Sequence, residues 1–190
     1  MKDKLKNILR NLALSVMLGF LFCGITLVTA QKTQVGLAES IFRFHVVANS
    51  DSVADQKLKL LVRDKIIETY GESLDRPDEI EKTAEAIIAE QGYDYEVKAE
   101  IGKFCFPMKE YGDIAMPAGE YNALRITIGE GLGQNWWCVI YPNLCVSGNK
   151  AEFSSEARQI LKENLTKEEY DLITGREPLR FRLLEMMNRE

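Results

Sequence analysis

A single histidine, His45, serves the whole 190-residue chain. With no second imidazole and no C-x-x-C pair, the ligand spacing of a zinc site is missing. No internal repeat, low-complexity tract or Pro/Gly-rich linker interrupts the sequence beyond its first forty residues, so a single domain is expected there. No stripe of Lys or Arg is present either. The chain holds 24 basic and 29 acidic residues, net −5. Residues 1–30 carry four of the bases and one acid, Asp3, which leaves −8 for the remainder. A domain of that charge repels phosphate backbones, so no nucleic acid is expected as a partner. Nothing outside the N-terminal segment suggests attraction to a membrane surface.

What is present begins at the N-terminus. Lys2, Lys4, Lys6 and Arg10 precede an apolar run from Leu12 to Val28, which exits through Val28-Thr29-Ala30. A charged region, an apolar core and small residues at the exit describe a secretory signal over 1–30. The run is long for a signal, about 17 residues, so an uncleaved anchor is the rival reading. Cys23 lies between the bulky Phe22 and Gly24 with Phe20 nearby, which does not make a lipoprotein box. Residues 31–40 read as a mobile lead-in and 41–190 as one domain, long enough to enclose a core. Cys105, Cys138 and Cys145 follow the signal; outside the cytoplasm they allow one disulfide and one spare thiol.

"IFRFHVVA" (41–48) reads as a buried strand. A helix begins near Val53, with Leu58, Leu61, Val62, Ile66 and Tyr70 on one face and Gly71 at its end. "LDRPDEIEKTAEAIIAEQG" restarts helix at Pro77, with Asp78 and Glu79 suited to its N-terminal dipole. Three strands follow, "YEVKAEIGKFCF" (95–106), "YNALRITIG" (121–129) and "NWWCVIY" (135–141), expected as a meander with a loop over 107–120. Residues from 153 onward are helical, with a capping box in Thr166 and Glu169. The order predicts an α+β fold, a mainly antiparallel sheet covered by helices.

"GEGLGQN" (129–135) follows a strand but leads into another strand, so it offers no helix N-terminus to pyrophosphate, and Glu130 repels such a group. It reads as a hairpin loop, and no cofactor is expected. "NSDSVADQ" (49–56) places Ser50, Ser52, Asp51 and Asp55 near His45 in sequence. No nucleophile elbow accompanies them. The reading that explains more is helix capping by Asp51 or Ser52, with Asp55 completing a box; His45 reads as a half-buried strand imidazole with one hydrogen bond. Asn49, Ser50 and Asp51 stay available for recognition on an exposed junction. In "NWWCVIYPNLC" (135–145), Trp136, Cys138 and Ile140 face one way and Trp137, Val139 and Tyr141 the other. Both faces are covered within the domain, or one indole belongs to a protein-binding patch. A tight Pro142-Asn143 turn would leave Cys138 and Cys145 diagonally displaced, so a 138–145 bond needs a wider loop; Cys105 bonded to either is the rival.

"FRFHVVANSDSVADQKLKLLVRD" (42–64) and "FPMKEYGDIAMPAGEYNALRITIGEGLGQNWWCVIYPNLC" (106–145), behind a signal-like start, resemble the stage II sporulation protein R family of endospore-forming bacteria. The resemblance spans nearly the whole exported part and is weaker over 71–100 and after 150. It implies a messenger with no catalytic residues. Such a protein is exported from the forespore into the intermembrane space. There it activates a membrane-embedded aspartic protease, stage II sporulation protein GA, which matures the sigma-E precursor on the mother-cell side. Asn49, Ser50, Asp51, Trp136 and Trp137 are the expected partner-binding residues. Cys105 stands outside the pattern of the family, so Cys138 and Cys145 are the expected disulfide. An exported cell-wall or peptide hydrolase using Asp51 is the alternative reading.

Overall fold

The computed structural model describes residues 2–71, 73–141, 155–175 and 178–187. Helix α1 (Lys2–Ser40) leads directly into β1 (Phe42–Val47). Helices α2 (Val53–Tyr70) and α3 (Pro77–Glu90) follow, then β2 (Val97–Phe106), the short β3 (Lys109–Tyr111) and β4 (Ile114–Met116), β5 (Gly119–Ile128) and β6 (Asn135–Tyr141). Helices α4 (Ser155–Asn164), α5 (Lys167–Ile173) and α6 (Pro178–Met187) complete the described chain. Ser52 caps α2 by accepting the Asp55 amide at 3.1 Å. Pro77 opens α3, and Thr166 and Glu169 form the expected capping box of α5.

The main sheet runs β2-β5-β1-β6. β2 pairs with β5 and β6 with β1 antiparallel, while β1 and β5 are parallel. The fold is thus α+β with a mainly antiparallel sheet, as the sequence predicts. The expected meander is not formed: β6 passes over β5's neighbour and pairs on the far side of β1. β1, five of whose six residues are buried, lies inside the sheet between β5 and β6 and is covered on both faces.

Strand alternation divides the core in two. Phe44 and Val46 of β1, Leu124, Ile126 and Ile128 of β5, and Cys138 and Ile140 of β6 face α2 and α3, where Leu58, Val62, Ile66, Ile80, Ala84 and Ile88 close on them. The opposite face carries Arg43, His45, Phe106, Tyr121, Ala123, Trp137 and Val139. It is covered by the end of α1 (Ala30, Leu37, Ala38), by the β3–β4 hairpin (Ile114, Met116) and by the C-terminal helices (Leu161, Leu172, Leu184).

Two segments differ from their sequence-based reading. The 107–120 loop contains the β3–β4 hairpin, paired Lys109↔Met116, Glu110↔Ala115 and Tyr111↔Ile114, and it turns at Gly112 with φ +67°. Its apolar Ile114 and Met116 are fully buried, which is what folds it onto the domain. Residues 31–40, expected as a mobile lead-in, are the last turns of α1, with Leu37 buried and the Gln34 amide donating to the Ala118 carbonyl.

Candidate functional site

The turn after β1 and the turn between β5 and β6 are separate motifs in the sequence and one object in the structure. Gly133 and Leu132 donate their amides to the carbonyls of Ala48 (2.9 Å) and Asn49 (3.0 Å). The Asn49 side chain accepts the Glu130 amide at 3.0 Å, and the Asp51 carboxylate accepts the Gln134 amide at 2.7 Å. Lys59 of α2 closes the arrangement from below, donating to the Gln134 carbonyl at 2.7 Å and to Gln56 at 2.6 Å. Gly129 stands at φ +56°, a conformation open to glycine, with the Asn49 side chain directly against it. A Cβ on Gly133 would strike the Ser50 carbonyl, so the approach of the two backbones depends on that residue being glycine. The expected hairpin loop is therefore a clasp between β5 and β6 that bridges to β1's turn.

Asp55 holds the first turn from inside. It is buried and accepts the Ser50 hydroxyl, the Asn49 amide at 2.9 Å and the Tyr95 hydroxyl at 3.2 Å. Those hydrogen bonds, Ser50's first, keep its pKa below the ordinary aspartate value. The capping box expected from Ser52 and Asp55 is half formed: Ser52 caps Asp55, but the Asp55 carboxylate is turned to these three donors, and the Ser52 amide goes to Ser50 Oγ at 3.1 Å. Burial lowers the Lys59 pKa, helped by nearby Arg63 and opposed by Asp51.

His45 takes no part in this turn. It is buried on the other face of the sheet, stacked on Trp137 with centroids 3.8 Å apart, and neither ring nitrogen has a hydrogen-bond partner. The single hydrogen bond expected from its strand position is not closed to ordinary geometry, although the Asn135 side chain is the polar group that faces the ring. Burial pulls its pKa from 6.5 to about 4, with Asn135 opposing and the charges of Arg125, Arg43 and Lys59 contributing. Ser50 donates to Asp55, not to His45, so no Ser-His-Asp relay exists here. Among the described residues no group of three or more His, Cys, Asp or Glu could share a metal ion.

The two tryptophans are split between the faces, as alternation predicts. Trp136 packs edge-on to Phe44 with the Arg63 guanidinium 4.6 Å from its ring centre. Trp137 lies between His45 and Phe106. Both are half-buried, and they sit at the clasp end of the sheet, where Val46 and His45 are their register partners. Arg43, two residues before His45 on β1, is wholly buried, with no carboxylate paired to it among the described residues. It donates to the Tyr111 hydroxyl at 3.3 Å and lies over the Phe106 ring at 4.1 Å, while its Nε and Nη1 have no partner. Cys105 is a free, exposed thiol. Cys145, expected to pair with Cys138, lies outside the described residues.

Sequence reasoning missed the outer surface of the clasp. Leu132 is 78% exposed and Val53 73% exposed. Val53 also lines a groove of about 570 Å³ between the start of α2 and the end of α3, with Ala54, Lys57, Leu61, Gln91 and Tyr93. The three glycines at 129, 131 and 133 were the available signal, since alternate glycines after a strand allow close backbone approach.

The Stage II sporulation protein R family model matches residues 38–151, which include both turns of the clasp. The chain belongs to the stage II sporulation protein R family. Stage II sporulation protein R of Bacillus subtilis (strain 168) is 33% identical over 159 residues, covering 73% of this chain and 71% of that protein. No solved structure matches. The family match starts inside α1 and ends before α4, so it is centred on the sheet, the clasp and the buried Arg43–His45 pair rather than on the terminal helices.

Proposed function

We propose that this family member is an exported sporulation signal that works by docking, activating the membrane-bound aspartic protease of sporulation, stage II sporulation protein GA, so that the sigma-E precursor is matured in the mother cell. The observation that carries the reading is the clasp. Residues of both family motifs are joined by hydrogen bonds into one clasp, and the apolar Leu132 within it and Val53 at the start of α2 are exposed. The polar groups that a hydrolase would use are instead spent on holding that clasp, Asp51 on Gln134 and Ser50 on Asp55. Asn49, Ser50 and Asp51 shape the contact surface, Val53 and Leu132 make the contact, and Trp136 and Trp137 support it from either face of β6.

A ligand activates a protease only through tighter binding to its active arrangement. About 3 kcal/mol of differential affinity changes the active ratio roughly 150-fold. The test is reconstitution of this chain, the protease and the precursor in a non-sporulating host. Leu132→Asp and Val53→Asp alter side chains the fold leaves in water, so they are expected to abolish precursor processing with export and thermal stability unchanged. Normal processing by both variants overturns the contact assignment. Turnover of peptidoglycan or peptide by the isolated chain, lost in Asp51→Asn, establishes the hydrolase instead. The 138–145 disulfide is proposed with this reading, and thiol counting on the denatured, unreduced chain checks it.

A further inference from the structure

α1 has two environments on one uninterrupted helix. From Asn11 to Gln31 it carries no charged residue, and at 1.5 Å per residue those 21 positions span about 32 Å. The hydrocarbon core of a bilayer is about 30 Å thick. Its most apolar stretch has a mean hydropathy of 2.3, and none of it is covered by the domain. Leu12, Met17, Leu18, Phe20, Phe22 and Ile25 point into solvent around the whole circumference. Lys2, Lys4, Lys6 and Arg10 lie at the end that stays in the cytoplasm.

The other end is part of the domain. Val28 lines a groove with Lys103 and Glu120, Ala30 and Leu37 are fully buried in the second core, and Gln34 is clamped to Ala118. The Val28-Thr29-Ala30 exit expected of a cleavable signal lies within this helix. The Thr33 hydroxyl bonds to the Thr29 carbonyl at 3.0 Å across the peptide that cleavage would break. Residues 28–31 thus stand where the uncharged span meets the domain.

We infer that α1 is a retained anchor that also completes the second core, and that it holds the exported domain flush on the outer face of the bilayer with no linker between them. The occupant of the exposed apolar surface of α1 is lipid. The groove of about 680 Å³ that Val28, Gln31 and Lys32 form with Lys103 and Glu120 consequently opens at the headgroup level. This inference rests on the export part of the proposed function and on none of its protease chemistry.

The test uses the full chain expressed in a bacterium that exports it. The membrane-extracted protein is expected to have the mass of the intact chain, 21.6 kDa. In intact spheroplasts a membrane-impermeant maleimide is expected to label Cys105, which is exposed on the domain, and to leave Cys23 unlabelled until detergent is added. The Cys23→Ser and Cys105→Ser variants assign each signal. A soluble fragment beginning at Gln31, with Cys105 labelled, overturns the anchor while leaving export intact. An unlabelled Cys105 in spheroplasts overturns export itself, and the inference with it.

Discussion

The two faces of the sheet are built from the same alternating strands and differ in what they bury. Toward α2 and α3 the strands bury apolar side chains under two helices adjacent in sequence, and the polar groups that α2 buries there, Asp55, Lys59 and Arg63, are hydrogen-bonded. Toward α1 the strands bury Arg43 and His45, neither fully hydrogen-bonded, beneath cover drawn from both ends of the chain. Burying unsatisfied polar groups opposes folding, so on the second face Arg43 and His45 offset part of what apolar residues such as Leu37, Ile41, Ile114 and Met116 contribute. What the second face gains is aromatic order: Arg43 and His45 fix Phe106, Tyr121 and Trp137 around themselves. The Tyr111 hydroxyl ties this group to the hairpin and to the Trp137 carbonyl.

The comparison breaks most easily on the apolar side. Phe44→Ala, measured by denaturant unfolding of the detergent-solubilised chain, is expected to cost about 3–5 kcal/mol; a cost no larger than that of a surface change means the first face is not the main source of stability.

Acid acts on the other side. A histidine held at about 4 in the fold and 6.5 when unfolded binds its proton more readily unfolded. Stability from neutral His45 is therefore complete above 6.5 and is lost as the pH falls from 6.5 to about 4, on the order of 3 kcal/mol in all. Asp55 has the depressed carboxylate's window: its contribution is present above the unfolded aspartate value, about 3.9, and disappears only below it. His45→Phe is expected to flatten the midpoint of thermal unfolding between pH 6.5 and 4. An unchanged slope assigns that loss to another group.

Arg43→Met should change stability in the opposite direction from Phe44→Ala. It replaces an unpaired buried cation by an apolar chain of similar length, and a gain of about 1 kcal/mol or more is expected. If precursor processing falls while stability rises, the second face serves the signal rather than the fold. The smallest expected change is Asp51→Ala, which removes one hydrogen bond to the Gln134 amide and lowers stability by about 0.5–1.5 kcal/mol.

The sequence revealed the elements whose periodicity and caps are local. The Leu58–Val62–Ile66 stripe, Pro77 at the start of α3, the Thr166–Glu169 box and the opposite facing of Trp136 and Trp137 all follow from residues within a few positions of one another. Sheet order depends on distant choices. Nothing near residues 129–134 states that β6 must pass β5 and reach β1. The clasp was hidden for the same reason, since its bonds join residues 81 and 83 positions apart. Asp55 illustrates the limit at short range: spacing predicted its amide's bond to Ser52, while a hydroxyl from Tyr95, forty residues on, took its carboxylate.

The clasp also imposes a timetable. On the proposed export route, a chain threaded outward from its N-terminus delivers Asn49 to Asp51 long before Gly129 to Gln134 emerge, and the bonds of Asn49 and Asp51 to the later turn form only when it arrives. Under the proposed reading, a docking surface that exists only once the strand pair has closed cannot act from a half-delivered molecule.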